Sequence, residues 1–157
     1  SGELGGAALG LARPDIAAAA RRLEEPEPRV ALGERLRGLA SAAIDVSDGF
    51  AQDLGHVLEA SGVGAVVEYE LLPKAPELKA LGDRRLEQRC VLSGGDDYEL
   101  VFTAPGAQRG AVAALAQALG LALTRVGLAE KGNPELKLLG PGRRRMKVAR
   151  GFDHFAP

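Results

Sequence analysis

Two carboxylates and a hydroxyl group lie within residues 45–48, and groups of this kind can bind a metal ion and phosphate. If residues 42–46 form a β-strand, Asp45 and Ser47 project from the same face, because successive side chains of a strand alternate. Asp48 follows, and a helix is predicted to begin near it. A helix N-terminus presents unpaired amide groups that suit phosphate, and adjacent carboxylates suit a hard cation. The pattern therefore indicates a candidate Mg²⁺–nucleotide site.

The same residue types also have a purely structural explanation. Ser47 or Asp48 is a suitable N-cap residue, because a side-chain oxygen at that position accepts an amide hydrogen of the first helical turn. Asp45 favours metal binding over capping, because it lies at the end of an otherwise apolar strand. The residue types around the helix start leave both explanations open.

A second acidic segment follows a pair of glycines at positions 94 and 95. Asp96, Asp97 and Glu99 come within four residues and precede a run of β-favouring residues. Paired glycines permit positive φ angles and a close approach of the backbone to a ligand. An ordinary polar turn explains the segment equally simply, because Asp favours local hydrogen bonds in turns.

Helical and strand patterns alternate along the chain, which predicts a mixed α/β domain with a central sheet of about four to six strands and helices on its faces. The helices are predicted at residues 4–12, 14–24, 30–39, 48–62, 77–81, 83–91 and 107–119. The strands are predicted at residues 42–46, 64–71, 98–102 and 121–128, with a hairpin that pairs 136–139 with 146–149.

Composition narrows the classes of function. The chain has 157 residues, of which 46% are hydrophobic and 26% are charged, as expected for one domain with a sizeable core. A net charge of -1 argues against a nucleic acid partner or an anionic membrane surface. The single cysteine, Cys90, excludes an intrachain disulfide and fits a reducing cytoplasm. No run is apolar and long enough to predict a membrane span.

Three motifs occur in order along the chain. The first is Ile-Asp-Val-Ser-Asp-Gly-Phe at residues 44–50, followed by Asp-Leu-Gly-His at 53–56. The second is Ser-Gly-Gly-Asp-Asp-Tyr-Glu-Leu at 93–100, and the third is Gly-Phe-Asp-His-Phe at 151–155. Together they resemble the thiamine-monophosphate kinase family over essentially the whole chain. That family is part of the superfamily of aminoimidazole ribonucleotide synthetase and selenophosphate synthetase.

The resemblance implies a Mg²⁺-dependent transfer of the ATP γ-phosphoryl group to thiamine monophosphate, which yields thiamine diphosphate without a phosphoenzyme. It implies that Asp45 and Asp48 bind Mg²⁺ and that Ser47 contacts ATP. It also implies that Asp96 contacts the substrate and that Phe152 packs against the thiamine moiety. No general acid or base is implied, since phosphoryl transfer depends mainly on positioning and charge neutralisation.

The resemblance covers only the C-terminal domain of such proteins, whose members also carry an N-terminal ATP- and metal-binding domain. Residues 1–157 are therefore expected to form a single C-terminal domain without its N-terminal partner, in agreement with a start at Ser1 rather than Met. The full-length protein is expected to be a cytoplasmic homodimer, joined mainly through the N-terminal domain. Asp96 stands where the family commonly has Glu, which predicts a shifted or water-mediated substrate contact.

Other functions are also compatible with the sequence. A different enzyme of the same superfamily could transfer phosphate from ATP to another acceptor, such as an amide or a selenide, although the motif at 151–155 argues against it. A non-catalytic domain that binds thiamine phosphates is a second alternative. A plain interaction module is a third, and it predicts that neither nucleotide nor thiamine compounds bind.

Overall fold

The computed structural model of the chain describes residues 1–147, in which helices and strands alternate. The helices are α1 (Gly6–Ala12), α2 (Ala17–Glu24), α3 (Val30–Arg35), α4 (Phe50–Ser61), α5 (Pro76–Leu81), α6 (Arg84–Ser93) and α7 (Arg109–Leu119). The strands are β1 (Ala42–Asp45), β2 (Val63–Glu68), β3 (Leu100–Thr103), β4 (Gly127–Lys131) and β5 (Leu136–Leu139). Short 3-10 turns occupy Tyr69–Leu71, Gly106–Gln108 and Pro141–Arg143.

The strands within residues 1–147 form two sheets. β1 pairs antiparallel with β3 and aligns Ile44 with Val101. β2 lies at the centre of the other sheet, antiparallel to β4 and parallel to β5. The mixed α/β class is confirmed, but the expectation of one central sheet was wrong. The periodicity of a sequence identifies strand residues without revealing which strands pair. Residues of both sheets line an apolar cavity of about 620 Å³.

Helix α4 links β1 to β2, and residues 45–48, the first acidic segment, lie just before its N-terminal end. Its buried face is formed by Phe50, Asp53, Leu54, Val57 and Leu58. Burial of each large apolar side chain in this set contributes about 1.5–3 kcal/mol. Gly62 ends the helix in the left-handed conformation with φ of 62°, as glycine does at many helix C-termini. The apolar spacing and the terminal glycine predicted this helix correctly.

Two cores stabilise the described residues. The larger one joins α1, α4, α5, α6, β2 and β5, and it includes the fully buried Leu9, Leu58 and Tyr69. The smaller one contains Leu32, Leu36 and Leu115, and so joins α3 to α7. The first acidic segment therefore rests on the larger core through α4.

One predicted strand was wrong, and half of another lies outside residues 1–147. Residues 121–126 form no strand, and β4 begins only at Gly127. Leu121 and Leu123 pack against the smaller core, so the apolar alternation there reflects burial rather than strand pairing. For the predicted strand at 146–149, Arg145 bridges to Leu139, and residues 148–157 lie outside the described part.

Candidate active site

The first acidic segment presents its side chains as the strand pattern predicted. Asp45 ends β1 as an exposed residue, whereas Ile44 is half-buried and Val46 is only 1% exposed. Ser47 and Asp48 are half-buried in the turn that leads into α4. The segment thus keeps Asp45 accessible on the face opposite the core, with Ser47 and Asp48 beside it.

The turn is held by a carboxylate from within the helix. Asp53 is 3% exposed, and its Oδ2 accepts the backbone N–H groups of Ser47, Asp48 and Gly49 at 3.0, 3.1 and 3.1 Å. Its own N–H donates to the Gly49 carbonyl at 3.0 Å. Burial raises the pKa of the Asp53 carboxyl above its ordinary value, and the three amide hydrogen bonds oppose that rise.

The start of α4 corrects one expectation about this turn. The N-cap position of α4 is occupied by Gly49, so the suggestion that Ser47 or Asp48 is the N-cap residue was wrong. The amides of residues 47–49, which precede the first helical residue, donate to Asp53. Phosphate contacts in this turn therefore depend on side chains or a bound cation rather than on these three amides.

Sequence reasoning assigned Asp53 no role, although a signal was present. Asp53 falls on the apolar stripe of α4, three residues after Phe50 and one before Leu54. A carboxylate on a buried face is costly unless it is hydrogen-bonded. That position alone predicts that Asp53 bonds to nearby backbone groups.

A backbone seam joins the two acidic segments, which are about fifty residues apart in the sequence. The Tyr98 N–H donates to the Val46 carbonyl at 3.0 Å, and the Asp96 N–H donates to the Ser47 carbonyl at 3.1 Å. A Cβ on Gly95 would lie 1.9 Å from the Ser47 carbonyl oxygen, so only glycine permits this approach. The structure therefore brings the backbone of Asp96 next to that of Ser47.

Asp96 is the exposed acid of the second segment. Its φ is 64°, a left-handed conformation that Asp adopts more readily than most residues. Its side chain is exposed, as binding of a ligand requires. Tyr98, two residues further on, also has a positive φ of 50°, so the loop follows an unusual path where it crosses the first segment.

Asp97 stabilises the start of helix α1 instead of facing a ligand. Its Oδ2 accepts the Gly5 N–H at 2.6 Å and its Oδ1 accepts the Ala7 N–H at 3.3 Å. Burial raises the pKa of the Asp97 carboxyl to about 6, and the two amide hydrogen bonds oppose the rise. The polar-turn explanation was therefore incomplete, because these partners lie about ninety residues away.

Glu99 forms a buried ion pair. Its side chain is 5% exposed, that of Arg29 is 20% exposed, and Nη2 of Arg29 lies 2.6 Å from Oε1 of Glu99. The Arg29 Nε also donates to both carboxylate oxygens, at 3.1 and 3.0 Å. The Ser1 hydroxyl donates to Oε2 at 2.6 Å. Glu99 thus ties β3 to the segment that precedes α3.

The residues present fit a magnesium ion only as part of its ligand set. Within residues 1–147, no three His, Cys, Asp or Glu side chains come together as a group that could hold a metal ion. Asp45 and Asp48 nevertheless supply hard oxygen donors three residues apart in the chain. Magnesium is commonly held by one or two protein carboxylates together with water and substrate phosphates, so two carboxylates suffice for such a contribution.

The remaining residue implied at the site, Phe152, lies outside the described residues. Asp45, Ser47, Asp48 and Asp96 lie within them, at or beside the backbone seam.

None of the helices between residues 1 and 147 has both the length and the apolar character needed to cross a bilayer.

Comparison with known proteins identifies the relatives of the chain. A family model described as "AIR synthase related protein, C-terminal domain" matches residues 1–138. The thiamine-monophosphate kinase of Salmonella typhimurium is 42% identical over 131 residues, which cover 83% of this chain and 40% of that protein. The chain therefore spans well under half the length of this curated relative.

Solved structures agree with this result. The thiamine-monophosphate kinase from Stenotrophomonas maltophilia has a TM-score of 0.81 and 41% identity, and the match covers 91% of this chain and 49% of that one. AaThiL complexed with AMPPCP and TMP has a TM-score of 0.77 and 28% identity, and the match covers 99% of this chain and 50% of that one.

Proposed function

The chain belongs to the family of AIR synthase related proteins as a C-terminal domain, and from this membership we propose that it is part of a thiamine-phosphate kinase. The complete protein transfers the γ-phosphoryl group of ATP to the phosphate of thiamine monophosphate and makes thiamine diphosphate. The 42% identity to a thiamine-monophosphate kinase supports this acceptor. The relative bound to AMPPCP, an analogue of ATP, and TMP supports the pair of substrates.

The observation that carries the proposal is the backbone seam between the two acidic segments. It brings Asp96 beside Ser47 through a hydrogen bond of 3.1 Å, and it leaves Asp45 and Asp96 exposed. A nucleotide-side group and a substrate-side group must be neighbours in any direct transfer between two phosphates. The seam supplies that adjacency.

Asp45 and Asp48 are proposed to hold Mg²⁺, and Ser47 to contact ATP. Mg²⁺ would neutralise phosphate charge when it is bound. Asp96 is proposed to contact thiamine monophosphate, where a carboxylate complements the cationic thiazolium, and Phe152 to pack against the thiamine ring. No residue is proposed as a general acid or base.

Further ligands are proposed to come from an N-terminal domain of the complete protein. The two carboxylates at Asp45 and Asp48 fit only part of a magnesium site, and the chain spans 40% of a relative. We accordingly propose that residues 1–157 form a single C-terminal domain that folds but is inactive alone. The complete protein is proposed to be a cytoplasmic homodimer that associates mainly through the N-terminal domain.

The test is an assay of the complete protein for thiamine diphosphate formation from ATP, Mg²⁺ and thiamine monophosphate, with the 157-residue chain assayed alongside. The complete protein is expected to turn over and the chain alone is not. Asp45→Asn and Asp48→Asn are expected to lower activity by about 100-fold or more, since even outer-shell partners of metals cost 10–100-fold. Glu59→Gln, which removes an exposed carboxylate from α4, is the matched control and should retain activity. Absence of turnover by the complete protein would refute the assignment.

A further inference from the structure

A buried acid that the proposed roles leave unused lies under the first acidic segment. Asp53 does not reach the surface, being 3% exposed, so direct contact with a nucleotide or substrate is excluded. We propose that Asp53 is a positioning residue that sets the geometry of the Asp45–Asp48 metal site through the backbone of the turn. This inference rests on the proposed function.

The convergence of three amides on one oxygen is the first argument. Oδ2 of Asp53 accepts the N–H groups of Ser47, Asp48 and Gly49, all within 3.0–3.1 Å. Three successive peptide groups directed at a single atom have little freedom to rotate. The Cα–Cβ directions of Ser47 and Asp48 are therefore set by Asp53, since a side chain leaves the backbone in a direction that the adjoining peptide groups define.

The rigidity of Asp53 itself is the second argument. Its neighbours on α4, Phe50 and Leu54, are 2% and 4% exposed and belong to the larger core. The backbone of Asp53 is fixed by its hydrogen bond to the Gly49 carbonyl at 3.0 Å. The position of the packed helix therefore fixes the position of the turn through the Asp53 carboxylate. A site is held to within a fraction of an ångström only when its supporting groups are themselves fixed by packing and hydrogen bonds.

The connection to the second segment is the third argument. The peptide groups on either side of Ser47 are bonded in opposite directions: its N–H donates to Asp53 at 3.0 Å, and its carbonyl accepts from Asp96 at 3.1 Å. Loss of the Asp53 acceptor therefore loosens the backbone at Ser47, the residue proposed to contact ATP, before it affects Asp96. The second acidic segment, which carries Asp96, keeps its other backbone hydrogen bond, from the Tyr98 N–H to the Val46 carbonyl at 3.0 Å.

The variant Asp53→Asn in the complete protein tests this inference. Asn keeps the size of Asp and can place its one carbonyl oxygen at the Oδ2 position, but it lacks the negative charge that strengthens the three amide hydrogen bonds. We expect the dissociation constant for Mn²⁺, measured by spectroscopic titration with AMPPCP present, to rise about tenfold, as is typical for loss of an outer-shell partner. The KM for thiamine monophosphate should change less than about twofold. Glu59→Gln, with the same loss of charge on the same helix, should leave both values unchanged.

A purely structural role predicts a different result. If Asp53 only stabilises the fold, Asp53→Asn should have a lower melting temperature and an unchanged Mn²⁺ dissociation constant. That result would overturn the inference. The Mn²⁺ titration contains no thiamine compound. If the complete protein lacks kinase activity but Asp53→Asn still weakens Mn²⁺ binding tenfold, the missing activity refutes the proposed substrate. The weaker Mn²⁺ binding supports the positioning role of Asp53.

Amide hydrogen exchange of the wild-type protein tests the inference if Asp53→Asn fails to fold. The amides of Ser47, Asp48 and Gly49 should exchange slowly before any ligand is added, because Asp53 already holds them. Addition of Mg²⁺ and AMPPCP should change their protection less than about twofold. Fast exchange of these three amides in the free protein would overturn the inference.

Discussion

The two acidic segments look alike in sequence, but the fold uses their carboxylates differently. The backbone of the first segment is held by the buried Asp53 of α4, which lies only four to six residues from the amides that it accepts. In the second, Asp97 and Glu99 bond to partners that lie 70 to 98 residues away, and only Asp96 is exposed. The first segment is organised locally, whereas the second holds distant parts of the chain together.

The difference shows that a cluster of acids does not by itself define a ligand site. Some acids in or beside the segments are committed to the fold, namely Asp53 beside the first and Asp97 and Glu99 in the second. The acids that remain for chemistry are those that the backbone turns towards solvent, such as Asp45 and Asp96. The following substitutions test this division, beginning with the largest expected effect on stability.

Removal of the Arg29 side chain, which pairs with Glu99 of the second segment, should lower the free energy of unfolding most. Arg29→Ala leaves the Glu99 carboxylate buried without its cation, and loss of one partner of a buried pair costs about 3–5 kcal/mol. Urea unfolding of this chain measures the loss. The matched control is Arg21→Ala, since Arg21 pairs with Glu25 at side-chain exposures of 80% and 67%, and it should cost less than about 1 kcal/mol. Equal losses in the two variants would contradict the distinction between buried and exposed pairs.

The pH dependence of stability should identify Asp97 as a structural acid. Its folded-state pKa of about 6 lies above the ordinary 3.8, so the folded state binds the proton more tightly than the unfolded state. The stability contributed by this proton is complete below about pH 4 and is lost as the pH rises through 6. The loss approaches about 3 kcal/mol.

Urea unfolding between pH 4 and 7.5 of the wild type and of Asp97→Asn measures this effect. The free energy of unfolding of the wild type should fall relative to the variant as the pH rises, because Asn has no proton to release. Parallel pH curves for the two proteins would show that Asp97 is not the group responsible.

A methyl group at position 95 should strain the seam between the segments. The Cβ of Gly95→Ala would lie 1.9 Å from the Ser47 carbonyl oxygen, and such overpacking costs about 1–3 kcal/mol. Gly55→Ala makes the same chemical change inside α4, where a Cβ meets nothing within 4 Å. This control should be more stable than the wild type by about 0.5–1 kcal/mol. A neutral Gly95→Ala variant would argue against the close approach of the two segments.

Substitution of the exposed acids should have the smallest effect on stability. Asp45→Asn and Asp96→Asn should each change the free energy of unfolding by less than about 0.5 kcal/mol, as surface substitutions generally do. The same changes should impair Mn²⁺ or substrate binding by the complete protein if the proposed roles hold. A stability loss above about 2 kcal/mol in either variant would show that its carboxylate belongs to the fold.

Much of the fold and part of the candidate site could be predicted from the sequence. The apolar spacing along α4, its terminal Gly62 and the alternation around Asp45 are local patterns, and each agrees with the structure. Local periodicity predicts such features because side-chain direction repeats regularly along a helix or a strand. The role of Asp53 was also within reach, since its partners are near neighbours in the chain.

Tertiary structure alone decided which acids of the second segment are structural. Gly5, Ala7 and Arg29 are distant in sequence from Asp97 and Glu99, and no local pattern records such contacts. The division of the strands into two sheets has the same cause, because strand pairing depends on long-range contacts. The sequence by itself determined where the carboxylates lie along the chain and which elements carry them. Folding decided, through burial and distant hydrogen-bond partners, which of them remain exposed for chemistry.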